Sequence, residues 1–101
     1  MTTITISATK TTETIPSDRL AIGVHAFERL YGERYAGQAL PDQLHIDPSD
    51  TDFATIDALD DDLRDRAVTA ETLVASGRGY VLLPGEGVDG CDCWALATIA
   101  D

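Results

Sequence analysis

Lysine is nearly missing from this chain. Lys10 is its only copy, and seven bases in all stand against 18 acids. The formal net charge is -11 and the pI is near 4.2. A surface so poor in cations cannot neutralise phosphates, which argues against direct nucleic-acid binding. An anionic membrane surface is disfavoured for the same reason. Cysteine is scarce too: Cys91 and Cys93 are the only two, one residue apart. A bridge between them would close a very small, strained ring, so a disulfide scaffold is not expected and a reducing cytoplasm is the simplest compartment. No apolar run approaches the roughly 20 residues of a membrane helix. Met1-Thr2-Thr3-Ile4 lacks the basic-then-apolar pattern of a signal peptide.

What the chain does have is aspartate. Between Asp42 and Asp62 there are eight, with no Lys or Arg among them. The apolar fraction of 44% is ordinary, so 101 residues are expected to form a single domain (1–101) around one core.

Thr2 to Ser7 alternates polar and β-branched residues, with Ile4 and Ile6 on one face, and reads as a strand. Ala8 to Thr14 carries no strong element and is either an extension of that strand or a loop. Pro16-Ser17 signals a helix start with Ser17 as N-cap, and Leu20, Val24, Phe27 and Tyr31 follow on one helical stripe. Gln43 to Ile46 is a short edge strand or an extended linker. Ser49, three residues before Asp52, opens a second helix. Its apolar stripe is Phe53, Ile56, Leu63, Ala67, Ala70 and Val74, with Leu59 at the margin, and Ser76-Gly77-Arg78-Gly79 stops it. Tyr80–Leu83 and Cys93–Ile99 read as strands. Neither face of the latter is strongly polar, which predicts a central strand covered on both sides. The expected fold is α+β: a small, mostly antiparallel sheet of the N-terminal strand and the C-terminal hairpin, packed by two helices.

On the second helix Asp57, Asp61 and Asp65 form a column at four-residue intervals. Like charges at that spacing destabilise a helix by roughly 0.2–0.5 kcal/mol per pair. Asp60 with Arg64 and Asp62 with Arg66 are expected to pair along the helix, whereas the column keeps no in-line partner.

Other patterns carry less. Gly85-Glu86-Gly87-Val88-Asp89-Gly90 spells G-x-G-x-x-G, but a strand-like run follows it where a phosphate-holding helix is required, and two acids would repel the phosphates. Cys91 and Cys93 offer two metal ligands at most, and spacing ties neither His25 nor His45 to them. Asp47, Asp50 and Asp52 lack the glycine and glutamate of a calcium loop. Ser17, Ser49 and Ser76 all have a helix-end explanation, and none lies in a nucleophile elbow. No cofactor, metal or catalytic residue is expected, and the chain is read as a non-enzyme.

Val81-Leu82-Leu83, ten further residues, Trp94-Ala95-Leu96 and a final acid resemble the closing hairpin of the phage uracil-DNA glycosylase inhibitors, small acidic proteins that mimic DNA. The likeness covers about a fifth of the chain. The early acidic strand of those inhibitors has no counterpart in Thr2 to Ser7. The resemblance implies that this size and charge suit a stoichiometric inhibitor.

The functional expectation is an acidic binder that occupies the basic, nucleic-acid-binding surface of a host protein by DNA mimicry. A phage or mobile-element inhibitor of a CRISPR effector or another defence or repair factor would have this character. Asp57, Asp61 and Asp65 would act as phosphate mimics, Asp47, Asp50 and Asp52 would extend the row, and Tyr35 would be an aromatic contact. A homodimer through an open sheet edge is compatible with the architecture. The alternative is an accessory domain of a salt-loving or GC-rich organism, its acids serving solubility; acids spread over every face would mark that case.

Overall fold

The computed structural model describes residues 2–101. Thr2–Ile6 (β1) and Thr11–Ile15 (β2) form an antiparallel hairpin in register from Thr2 opposite Ile15 to Ile6 opposite Thr11. Of Ala8 to Thr14, the region with no strong sequence signal, Thr11–Thr14 is strand and Ala8–Lys10 is the turn before it. The partner of this strand supplies what propensity did not: β1, paired to β7 on one side, offers its other edge.

Leu20–Ile22 forms β3 and Val24–Tyr35 forms α1. This corrects the helix expected to begin at Ser17. Leu20 to Ile22 mimics a helical stripe in spacing, but two neighbouring strands claim its backbone, and Gly23 then turns the chain into the helix. Ser17 instead accepts a hydrogen bond from the hydroxyl of Thr2 at 3.3 Å.

Gln43–His45 (β4) is a strand. Phe53–Arg66 forms α2, which ends well short of Val74. Ala67 turns extended, and the β-branched Val68–Thr69 (β5) pairs with Ala21 and Leu20. A 3₁₀ segment, Ala70–Ser76, follows and closes at Gly77, whose positive φ of 75° suits glycine. Leu59, placed at the margin of the stripe by periodicity, is 0% exposed. Ser49 does not cap α2: its amide and hydroxyl both donate to Asp47 Oδ1, at 2.9 and 2.7 Å.

Arg78–Leu83 (β6) and Cys93–Ala100 (β7) complete one antiparallel sheet in the order β2-β1-β7-β6-β3-β5. β7 is central, as its two apolar faces require. It pairs β6 along one side and shares the other between β1 and β4. Trp94 packs with Tyr80, Leu82 and Ile22 beneath Phe27, Leu30 and Tyr31 of α1 and Leu59 and Leu63 of α2. On the opposite face Ala95, Ala97 and Ile99 pack with Ile4, Ile6 and Val81, and with Leu73 and Val74 of the 3₁₀ segment. The fold is α+β, with the helices on one face of the sheet. No helix among the described residues is long and apolar enough to cross a membrane.

Candidate functional site

Burying Ile56, Leu59 and Leu63 fixes the rotation of α2. At 100° per residue the opposite side falls on Asp57, Asp61 and Asp65, and all three are exposed. The column thus points away from the protein, with about 6 Å of rise between successive carboxylates.

The loop entering α2 holds the next three acids. Asp47 is half-buried, and the Ser49 hydroxyl and amide hold its carboxylate below the usual range. Asp50 Oδ1 accepts from the Asp52 amide at 2.8 Å, and both residues are exposed. Tyr35 closes α1 as the outer member of a ring stack, 4.5 Å from Tyr31 between centroids, with Tyr31 5.9 Å from Phe27 and Phe27 3.6 Å from Tyr80. Partial burial raises the Tyr35 pKa, and the charges of Tyr31, Asp52 and Asp50 raise it further. The charges of the two loop carboxylates thus reach Tyr35, although about 15 residues separate them in sequence.

A polar network behind the column ties it to the sheet. Asp60 is only 7% exposed, yet both its oxygens are satisfied: Oδ1 accepts from Trp94 Nε1 at 2.7 Å and Oδ2 from Arg64 Nε at 2.8 Å. Arg64 also pairs with Asp92, whose other oxygen accepts from the Gly85 amide at 3.2 Å. The two carboxylates hold the guanidinium in its charged form and raise its pKa. The expected Asp60–Arg64 pair forms. The expected Asp62–Arg66 pair does not: Asp62 pairs with Arg34 of α1, tying the helices together.

This network was not legible from spacing, because Asp92 approaches only when β7 is in place. The available signal was Trp94 itself, since an indole N–H inside an apolar strand demands an acceptor.

The network joins two acidic segments. Residues 42–66 and 86–92 together hold twelve acids and two arginines, a net -10. The remaining six acids and five bases nearly cancel. The Arg64–Asp92 pair, the Trp94–Asp60 bond, a bond from the Ile46 amide to the Asp92 carbonyl at 3.1 Å and the β4–β7 pairing bring the segments together. Most of the net charge therefore lies in these two linked segments, offset at Asp62 by Arg34 of α1. Glu86 and Asp89, both exposed, belong to them, a grouping that no spacing along the chain indicates.

No protein-family model, curated protein or solved structure matches this chain. The physical reading of the site stands without a relative.

The glycine motif is a turn. Gly87 donates to the Cys91 carbonyl at 2.7 Å, and a Cβ there would lie 2.6 Å from the Asp92 carbonyl oxygen. β7 follows it, with no phosphate-holding helix. Cys93 lies 1% exposed in the core, where burial, and secondarily Glu86, push its thiol pKa up to about 11. His45 sits directly across from it between β4 and β7, a proximity made by the sheet and invisible to spacing. Among the described residues no three His, Cys, Asp or Glu side chains stand together as a metal set.

Proposed function

We propose that this chain is a non-enzymatic binder whose acidic pole occupies the cationic, nucleic-acid-binding surface of another protein. The observation that supports this reading is the uneven distribution of charge. Acids serving solubility alone would be spread over the surface, whereas here the residues outside 42–66 and 86–92 are almost neutral. Asp57, Asp61 and Asp65 lead the surface, Asp47, Asp50 and Asp52 extend it, and Tyr35 supplies a rigid aromatic contact of the kind that anchors interfaces.

Charge density decides how much of the pole is needed. One DNA strand carries a phosphate per roughly 3.4 Å of axis. A column rising about 6 Å per carboxylate carries little more than half that density. The column alone is too sparse to stand in for a strand. The reading therefore needs the loop acids Asp47, Asp50 and Asp52, and Glu86 and Asp89 of the second acidic segment, as well as the column. A phage or mobile-element inhibitor of a defence or repair protein is the finer form of this proposal, and its compartment is the cytoplasm of the cell in which that target works.

The test is affinity capture from lysate with mass spectrometry, run in parallel on the wild type and on Asp57→Asn/Asp61→Asn/Asp65→Asn. The reading expects a basic, nucleic-acid-binding protein that the triple variant fails to retain. Equal capture by both, or capture of no basic partner, would overturn it.

A further inference from the structure

β7 changes partners along one edge. The Leu96 carbonyl accepts from the Ser7 amide at 2.9 Å, and the Leu96 amide donates to the Asp42 carbonyl at 2.8 Å. The first bond closes the pairing with β1 and the second opens the pairing with β4. The Ile46 amide likewise bonds to the Asp92 carbonyl, so the backbone groups of Leu44, between Asp42 and Ile46, face β7. By alternation the N–H and C=O groups of Gln43 and His45 point away from it. Among the described residues no backbone hydrogen bond reaches them, and no strand lies outside β4 as β2 lies outside β1. We propose that an extended segment of the partner protein adds to β4 as a strand and places a lysine or arginine in the recess beside it. This names the form of one contact made by the binder proposed above, and it rests on that reading.

The recess selects the side chain. Gln43 and His45 stand opposite Ala95 and Cys93, so their side chains lie on the sheet face away from the helices. A residue of the added strand opposite either one points to that same face. The face carries a cavity of about 240 Å3 between β4 and the β1–β2 hairpin. That volume falls below the range of small-molecule sites and suits one long side chain.

The floor of the cavity is apolar: Ile6, Leu83 and Cys93 are at most 5% exposed. Glu13 and Glu86 stand on its walls, and neither is ion-paired among the described residues. Glu86 is near enough to the floor for its charge to help keep the Cys93 thiol protonated. A lysine or arginine answers both layers, its methylene stem lying on the floor and its cation meeting the carboxylates. In strand additions of this kind the paired backbone supplies affinity and the side-chain recess supplies specificity.

The experiment is an amide-resolved NMR titration of the full chain with acetyl-Thr-Val-Lys-Val-Thr-amide at physiological salt. The proposal expects saturable shifts at the Gln43, His45 and Glu86 amides. A peptide with glutamate in place of the lysine should bind about tenfold more weakly or worse, because it meets two carboxylates. Methylating the backbone nitrogens of the lysine and both valines should cost about tenfold as well, since the strand loses its central donors. Glu86→Gln should weaken binding of the lysine peptide about threefold, whereas Glu28→Gln, an equal change of charge on α1, should alter it less than about twofold. Shifts that fail to saturate, or that the glutamate or methylated peptide reproduces, would overturn the proposal. Failure of the lysine peptide alongside intact capture of a basic partner would overturn this inference alone and leave the binder reading in place.

Discussion

Trp94 and Asp60 meet across the interface between sheet and helix, the indole N–H donating to the carboxylate at 2.7 Å. The indole is wholly buried and the carboxylate nearly so. Asp60 therefore serves the fold, unlike its neighbours Asp57 and Asp61, although all three belong to one acidic run.

Removing that carboxylate leaves an indole donor unpaired inside the core and frees one side of Arg64. Asp60→Ala is expected to cost about 2–4 kcal/mol, and Asp60→Asn, which keeps an acceptor, about 1–2. Urea unfolding followed by Trp94 fluorescence measures both. A loss under half a kcal/mol for the alanine variant would mean the network is not structural.

The exposed column makes the opposite prediction. Asp57 with Asp61 and Asp61 with Asp65 are two unfavourable pairs, so the triple asparagine variant should be more stable by about 0.4–1 kcal/mol at low salt. In concentrated sodium chloride the gain should shrink as the repulsion is screened. Thermal unfolding at two ionic strengths reads this, and a destabilised triple variant would show that the carboxylates support the fold.

Much of the fold follows from sequence by periodicity. The alternation of Ile4 and Ile6 and the two apolar faces of Cys93 to Ile99 are local signals, and each describes the structure; Gly77 does stop a helical segment, but it is the 3₁₀ segment and not α2, which ends at Arg66. Leu20 to Ile22 was misleading because a three-residue strand is too short to show a period, and its spacing to Val24 and Phe27 fits a helix. The run from Phe53 to Val74 failed for a related reason: 3.6-residue periodicity continues through Val68 and Thr69, and only the vacant edge of β3 makes them extended. At the site, the outward column was legible because it depends on one helix alone. The Asp60, Arg64 and Asp92 network was not, since it depends on β7 reaching α2.

The turn before β7 separates two kinds of glycine. Gly87→Ala would place a methyl against the carbonyl oxygens of Asp92 and Cys91, 2.6 and 2.8 Å away. Backbone must move to admit it, at a cost of roughly 1–3 kcal/mol. Gly32 lies inside α1 with nothing within 4 Å of its Cβ position, so Gly32→Ala should stabilise by about 1 kcal/mol. Denaturation midpoints moving in the same direction for both would contradict this assignment.

Cys93 predicts an alkaline weakness. Its thiol ionises near pH 9 when unfolded but only at about 11 when folded. The stabilisation from keeping it neutral is complete below pH 9 and is lost as the pH rises toward 11. Cys93→Ala should therefore lose less stability than the wild type between pH 9 and 11. Parallel decline of the two proteins across that window would refute the assignment.

Sheet edges are guarded unequally. β5 is only two residues long, while β2 offers five, with Glu13 aimed to the same side as Ile15. A charge at that position discourages edge-to-edge pairing. Glu13→Thr is expected to shift the protein toward dimers in sedimentation velocity at high concentration. A wild type that dimerises equally would show that Glu13 does not guard the edge.

The central claim is that the acidic pole takes the place of nucleic acid on a cationic protein, and competition tests it most directly. A basic partner obtained by capture is saturated with a labelled DNA duplex, and this protein is titrated in at physiological salt. The account predicts stoichiometric release of the duplex by the wild type and little release by the Asp57, Asp61 and Asp65 triple variant. A ternary complex that retains the duplex, or equal release by both proteins, would contradict it.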